Sequence, residues 1–251
     1  MMKIATWNTY RHNTQALEGI ATLMGQHDVL CLQEVHHDIL QDVLKYAPYH
    51  HTSDECTWKT GQSYIVTLSK HPISNAQSVR HRHWPSFSNW LQEQTEGRFF
   101  HHIDISKKGR SWRIINTHLP LSVSPFCRMR EWVRLWRHTA KHGRTLICGD
   151  FNAFHDPFVG FFVAPFMGHR LKDFLIHERR RLRAFLRKKK FGNPFAPWRT
   201  QMHLPYQLDF VLHSEALTLH SALRWPERLG SDHWPLSAEF RSAEFKTLTR
   251  P

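Results

Sequence analysis

The sequence predicts an α/β fold, and three observations carry that prediction. The N-terminal third alternates strand, helix and strand patterns, and each of these strands finishes on a polar residue. Apolar strand-like runs recur at Ser63 to Ser69, Leu146 to Cys148 and Gln207 to His213, separated by stretches of helical period. At 251 residues, 41% of them apolar, the chain is long enough to bury a sizeable core without disulfides. That length fits one large domain or two small ones. No internal repeat and no dividing linker interrupts it, so residues 1–251 read as a single domain.

In chain order, Lys3 to Trp7 is a short strand ending at Asn8. Thr14 to Gln26 carries Leu17, Ile20, Ala21 and Met24 on one helical stripe, with Thr14 as the expected cap. Asp28 to Gln33 is a buried strand that delivers Glu34 at its end, and His37 to Tyr46 is a second amphipathic helix. Ser63 to Ser69 is a strand, followed by a corner at Lys70 to Ile73. Arg80 to Gln94 lacks a clean period and reads as a surface loop. Arg98 to Ile105 alternates as a strand, Lys107 to Arg110 turns, and Trp112 to Thr117 pairs back, ending on His118. Ser124 to His142 has helical spacing through Met129, Val133 and Trp136. Phe151 to Gly168 is aromatic and irregular. The last strands are Gln207 to His213, with Asp209 inside it, then Thr218 to Ala222 and Pro235 to Phe240.

Composition narrows the class of partner. The formal charge is +13, which favours a polyanion. Between His169 and Lys190, ten Lys/Arg stand against two Asp/Glu, a local +8 that leaves +5 for the rest. In that segment Leu171, Leu175, Leu182 and Leu186 recur at helical spacing, with Phe174 and Phe185 alongside, so about 169–190 reads as a basic amphipathic helix. No window approaches the roughly 18 apolar residues of a membrane span. The first residues lack the apolar core of a secretory signal. Cys31 and Cys148 sit in apolar runs, while Cys56 and Cys127 have no partner at metal-binding spacing, so reduced cysteines and a cytoplasmic location are expected.

The chemistry centres on Leu146-Ile147-Cys148-Gly149-Asp150-Phe151-Asn152. Residues two apart on an extended chain point to one side, so Asp150 and Asn152 project together from a strand end. An Asx-type turn is the structural alternative for such a Gly-Asp-x-Asn stretch. Polar residues at or near other strand ends are Asn8, Glu34, His118, Asp209, Asp232 and His233. Strand termini at one edge of a sheet converge on one pocket even when far apart in sequence. Four carboxylates, two amides and two histidines suit a hard, oxygen-seeking cation such as Mg²⁺ or Mn²⁺, and the lack of cysteine among them argues against zinc. Asp209, buried and unpaired, would cost several kcal/mol, so it needs a partner, and His233 is the candidate.

Six short motifs in order carry a resemblance: Trp7-Asn8, Leu32-Gln33-Glu34, Asn116-Thr117-His118, Gly149-Asp150-Phe151-Asn152, Leu208-Asp209-Phe210 and Ser231-Asp232-His233. Together, over Ile4 to Phe240, the chain resembles the endonuclease/exonuclease/phosphatase superfamily. That superfamily includes deoxyribonuclease I, exonuclease III, neutral sphingomyelinases and inositol polyphosphate 5-phosphatases. The Asn116-Thr117-His118 motif is similar to the Asn-x-His branches rather than the exonuclease III branch. The resemblance implies a four-layer α/β/β/α sandwich, two mixed sheets face to face with helices outside, and a Mg²⁺-dependent phosphoesterase. It implies that Glu34 coordinates the metal, with Asn8 and Asp232 close by. Asp150 would orient or deprotonate the attacking water, and Asn152 would hydrogen-bond a phosphoryl oxygen. His118 would stabilise phosphate charge or assist the leaving group, and the Asp209 and His233 pair would act at the same phosphorus. Asp150 and His233 both remain open as the general base.

The resemblance does not choose the ester. The basic helix points to DNA or RNA, with Arg98, Arg179, Arg180 and Arg183 as expected substrate contacts. An anionic membrane surface fits the same helix, as does a solvated face above buried leucines. The leading expectation is a nuclease. The alternatives are a phosphatase or sphingomyelinase-like phospholipid phosphodiesterase on the same site, and a non-catalytic nucleic-acid-binding protein on the same fold. Nothing in the sequence requires an obligate protein partner.

Overall fold

The computed structural model describes residues 1–58, 61–82, 99–121, 123–139, 143–154, 173 and 175–243. Two six-stranded sheets form its centre. The first has the order β11 (Leu217–Arg224), β12 (Leu236–Ser242), β1 (Met2–Asn8), β2 (Val29–His36), β4 (Gly61–Ser69) and β3 (Tyr49–Trp58). The second has the order β5 (Ile73–Arg80), β6 (Phe99–Lys107), β7 (Arg110–His118), β8 (Thr145–Asp150), β10 (Asp209–Ser214) and β9 (Phe191–Gly192). Helices α1 (Ala16–Gln26), α2 (His37–Leu44), α3 (Pro125–Trp136) and α4 (Glu178–Lys188) complete the described elements.

Three apolar clusters separate four layers. Met2, Ile4, Val29 and Cys31 meet Ile103, Ile114, Cys148 and Val211 between the sheets. Ala5, Trp7, Leu30 and Leu32 pack outward on Ile20, Leu23 and Met24 of α1 and Val43 of α2. Ile115, Ile147 and Leu212 pack outward on Trp132 and Leu135 of α3 and Leu182 and Leu186 of α4. Successive residues of β1 thus face opposite layers and both are apolar, as a central strand covered on two sides requires. The expected α/β/β/α sandwich is the fold observed.

Each sheet has one parallel pair at its heart, β1 with β2 and β7 with β8. Their register brings the polar strand ends together: Asn8 lies opposite Gln33, His118 opposite Asp150, and Asp150 opposite Asp209 of β10. Between the sheets, beneath these ends, Asn116 is fully buried and joins them. Its amide nitrogen donates to the carbonyls of Leu32 and Val66 at 3.2 and 3.0 Å, and its oxygen accepts from Gln33 at 2.7 Å. A buried amide with these partners satisfied fixes one alignment of the two sheets.

Several local expectations change. Strands β3 and β5 carry almost no apolar alternation and are held by the pairing of neighbours, so the corner at Lys70 to Ile73 leads directly into β5. Arg80 closes β5 rather than opening a loop, and 83–94 lie outside the described residues. Helix α1 begins after Gln15 without a side-chain cap, so Thr14 does not cap it; Asn13 instead accepts from the Gln15 amide at 2.9 Å. Helix α3 ends at Trp136, short of His142, and Ser124 caps it by accepting from the Cys127 amide at 3.3 Å. The basic helix starts at Glu178 rather than near 169. Leu175 is off the helix and 83% exposed, while a turn closes from Ile176 to Asp173. Leu171 and Phe174 lie outside the described residues. The helix start is set by Glu178, fully buried against the Arg128 guanidinium of α3 at 2.8 Å. Among the described residues no helix is long and apolar enough to cross a membrane.

Candidate active site

The pocket opens at one end of the sandwich, where the parallel strands of both sheets finish. It has a volume of about 250 Å³, and Glu34, His118, Asp150, Asn152, Asp232 and His233 all line it. Asn8 and Asp209 lie just behind, bonded to lining residues. The eight strand-end residues predicted from sequence are therefore brought together. Asp209 is the first residue of β10, at the strand's mouth rather than inside it.

The turn after β8 does two jobs. Gly149 has a φ of +128°, and a Cβ there would lie 1.8 Å from the Thr117 carbonyl oxygen, so only glycine lets β8 reach β7 at this point. Asp150 Oδ1 accepts from the Asn152 amide at 2.8 Å, an Asx turn. Asp150 Oδ2 is left for the pocket, 3.2 Å from the Asn8 amide nitrogen. Asn152, with a φ of +47°, donates to the Leu119 carbonyl at 2.8 Å, and the same nitrogen lies 3.1 Å from His118 Nε2. Turn and functional constellation coexist, with the two Asp150 oxygens divided between them.

Glu34 sits at an irregularity in the β2 to β4 pairing and has a φ of +57°. A non-glycine residue in this region stores strain, a cost common where side-chain direction matters. Its carboxylate accepts from the Asn8 amide at 3.0 Å, and its own backbone amide donates to Glu55 at 2.7 Å.

Two histidine and carboxylate pairs flank Asp150. His233 Nδ1 and Asp209 Oδ2 are 2.7 Å apart, and His118 Nδ1 donates to Glu55 Oε1. The outer nitrogens of His118 and His233 stand 3.6 and 3.9 Å from Asp150 Oδ2. Burial opposes charge on both rings, yet the carboxylates outweigh it. Glu55, helped by Asp150 and Glu34, holds His118 at a pKa of about 10. Asp209, helped by Asp150 and Asp232, holds His233 at about 10. Burial pushes Asp209 up to about 6, with His233 opposing and Asp150 adding to the rise. Burial likewise raises Glu55, against the pull of His118.

Among the polar pocket residues, Tyr10, Arg11, Glu55 and Gln201 escaped the sequence reading. Glu55 lies on β3, whose polar run from His50 to Glu55 shows no amphipathic contrast; only pairing with β4 turns it inward. Gln201 donates to Asp232 Oδ2 at 3.0 Å and sits on an isolated bridge to His233, a contact with no local sequence signal. Of the four expected arginines, the three that are described, Arg179, Arg180 and Arg183, are not among the pocket's lining residues. Arg98 lies outside the described residues. Arg179, Arg180 and Arg183 are on α4, where the Arg179 guanidinium stacks over Tyr206 at 4.6 Å, between the pocket-lining Leu204 and Leu208.

The residues present fit a hard divalent cation. Asp150, Asp209 and His233 bring polar atoms within 4.8 Å of one another, all buried, and with His233 holding its proton the carboxylate oxygens are the donors open to a cation. Glu34 and Asp232 add carboxylates at the pocket wall, so acidic oxygens dominate the donor set.

A four-layer sandwich with a carboxylate and histidine pocket at the ends of its central strands defines the deoxyribonuclease I-like class of fold. The sequence pattern of the Endonuclease/Exonuclease/phosphatase family matches residues 5–233, and the chain belongs to that family. No curated protein sequence matches it. Among solved structures it is similar to an endonuclease/exonuclease/phosphatase from Beutenbergia cavernae, at 14% identity and a TM-score of 0.73, over 96% of this chain and 71% of that one. It is also similar to the 3' phosphatase NExo from Neisseria bound to a product DNA hairpin, at 19% identity and a TM-score of 0.59, over 96% and 100%. A third is TDP2 from D. rerio with a single-strand DNA product, at 13% identity and a TM-score of 0.63, over 96% and 99%. At these identities the likeness is one of fold.

Proposed function

We propose that the protein is a divalent-metal-dependent phosphodiesterase that cleaves nucleic acid. The observation that carries this reading is Asp150 Oδ2, an acidic oxygen set between two outward imidazole nitrogens, each tied from behind by its own carboxylate. A bound Mg²⁺ or Mn²⁺, held by Glu34 with Asn8 and Asp232 beside it, supplies neutralisation of charge on the phosphoryl oxygens. His118 and His233, kept protonated by Glu55 and Asp209, donate to the equatorial oxygens as charge develops there. Asp150 accepts the proton of the attacking water, because a protonated His233 has no free nitrogen to receive it. Asn152, anchored by its bond to the Leu119 carbonyl, lines the pocket beside His118 and supplies a further polar group toward the phosphate. Positioned acid–base groups of this kind contribute about 10²–10⁴-fold to rate.

The nucleic-acid part of the reading is supported by α4. Its first turn stacks Arg179 over Tyr206, which lies in sequence between the pocket-lining Leu204 and Leu208, and Arg180, Arg181, Arg183, Arg187 and Lys188 follow with exposed side chains. A helix of eleven residues spans about 16 Å, enough for two or three successive phosphates. A cytoplasmic location accords with this substrate class. One observation favours a second reading, a phospholipid phosphodiester: Leu119, Pro120, Leu121, Leu204 and Leu208 give the pocket an aliphatic wall.

The test incubates the protein with supercoiled plasmid, single-stranded RNA and phospholipid vesicles, with Mg²⁺ or with chelator, beside Glu34→Gln and His233→Ala. Metal-dependent attack on plasmid or RNA, lost in both variants, is the expected result. Attack that persists in either variant refutes the site. Turnover of lipid alone transfers the protein to the second reading.

A further inference from the structure

We propose that His36, His37 and Asp38 form a binding site for a borderline transition-metal ion of the Zn²⁺ class, separate from the carboxylate-rich catalytic pocket. The three residues occupy the junction of β2 with the first turn of α2. One ligand atom from each lies within 4.8 Å of the others. His36 Nδ1 is 3.2 Å from Asp38 Oδ2, and His37 Nε2 is 2.9 Å from Asp38 Oδ1. The two ring centroids are 4.2 Å apart. Two imidazoles and one carboxylate form a donor set that zinc accepts at about 2.0–2.2 Å, with water in the fourth position. Nitrogen donors also distinguish this cluster from the oxygen-dominated pocket that suits Mg²⁺.

The rings are held from behind by Gly61, at the start of β4. Its φ is +140°, and a Cβ there would lie 2.3 Å from His37 Cε1, 2.5 Å from His37 Nδ1 and 3.1 Å from His36 Nε2. The backbone therefore closes on His37 Nδ1 and His36 Nε2. The opposite nitrogens, His37 Nε2 and His36 Nδ1, are the ones turned to Asp38. The absence of a side chain at Gly61 thus leaves room for both rings with these edges turned to Asp38. A groove of about 380 Å³ passes His36 and Asp38 and continues to His12 and Glu34, giving an ion access and space for a water ligand. An acid in the first turn of a helix has an ordinary role against the helix dipole. That role calls for neither two imidazoles nor a glycine pressed against them.

The experiment titrates Zn²⁺ into the full chain in excess Mg²⁺, with a chromophoric chelator as competitor. His37 and Asp38 side chains are 43% and 69% exposed, so His37→Ala and Asp38→Asn retain the fold, which circular dichroism verifies. Either substitution is expected to weaken one Zn²⁺ site by about tenfold or more, whereas Asp209→Asn leaves that site intact. With Co²⁺ in place of Zn²⁺, the visible ligand-field band of the wild type disappears in His37→Ala. Equal Zn²⁺ affinity and stoichiometry in the wild type and both variants overturns the proposal. So does a loss confined to Asp209→Asn, which assigns the ion to the catalytic pocket.

Discussion

Glu55 faces His118 across the pocket floor, taking the Nδ1 proton on one oxygen while the other accepts the Glu34 amide at 2.7 Å. One buried carboxylate thus orients both the His118 ring at the pocket and the backbone of the proposed metal ligand. Replacement by Gln keeps the size and removes the charge. Burial at His118 is then opposed only by Asp150 and Glu34, and the ring loses its proton at a lower pH than the wild-type value of about 10. Activity of Glu55→Gln at pH 7.5 is expected to fall about 10–100-fold. The His118 resonance in heteronuclear NMR should titrate below its wild-type value; an unchanged titration refutes the pairing. The same raised pKa stabilises the fold fully below about 6.5, the unfolded value, and that contribution fades as pH rises towards 10.

His101 of β6 behaves in the opposite sense. It is fully buried between the sheets, with Nδ1 3.0 Å from Ser53 Oγ and Nε2 2.7 Å from Thr67 Oγ1. Burial, with His51 and His102 adding to it, holds its pKa well below 6.5. The folded state therefore binds fewer protons than the unfolded chain in mild acid. Stability conferred by neutral His101 is present above about pH 6.5 and is lost as pH falls below it, with a limiting slope of about 1.4 kcal/mol per pH unit per group. Urea unfolding from pH 7.5 to 5 should show this loss, and His101→Gln should flatten it. A midpoint independent of pH in the wild type contradicts the assignment.

Arg128 and Glu178 form an ion pair with both side chains fully buried, joining α3 to the start of α4. Arg128 also donates to the carbonyls of Pro120 and Leu121 on the pocket rim, at 2.7 and 2.9 Å. Glu178→Ala leaves the guanidinium charge uncompensated and should cost about 3–5 kcal/mol in denaturant unfolding. Replacing both residues with apolar side chains should cost less, because no lone charge then remains buried.

Neutralising Arg180, Arg181 and Arg183 to Gln tests α4 as a phosphate track. Each lost backbone contact should reduce the slope of log binding constant against log salt by about 0.7–0.9. Binding measured by fluorescence anisotropy from 50 to 300 mM salt is the check. A slope identical to wild type returns the helix to the role of a solvated cover over Leu182 and Leu186.

Most strands and helices of the α/β fold were legible in the sequence because their signals are local, and the resemblance of six motifs implied their layering. Central strands such as Met2 to Asn8 are apolar on both faces, and α1 and α3 carry stripes of helical period. The site was legible in outline for a related reason: Asn8, Glu34, His118 and Asp150 each end an apolar run, which marks a strand mouth. Strands β3 and β5 were not legible, since the forces that hold them come from neighbouring strands. Glu55 was hidden with them. The basic segment showed its charge and its leucine spacing, but not its start, because Glu178 finds Arg128 fifty residues away in sequence.

By itself, then, the sequence determined the α/β class, the eight polar strand ends and the concentration of positive charge before Lys190, consequences of side-chain type and period, while the four layers followed from the family resemblance of its motifs. Tertiary structure alone decided which carboxylate backs which histidine, that His36 and His37 turn opposite edges to Asp38, and that the arginine helix starts where Glu178 meets Arg128. These depend on contacts between residues remote in sequence or on backbone direction at single positions such as Gly61 and Gly149, neither of which periodicity encodes.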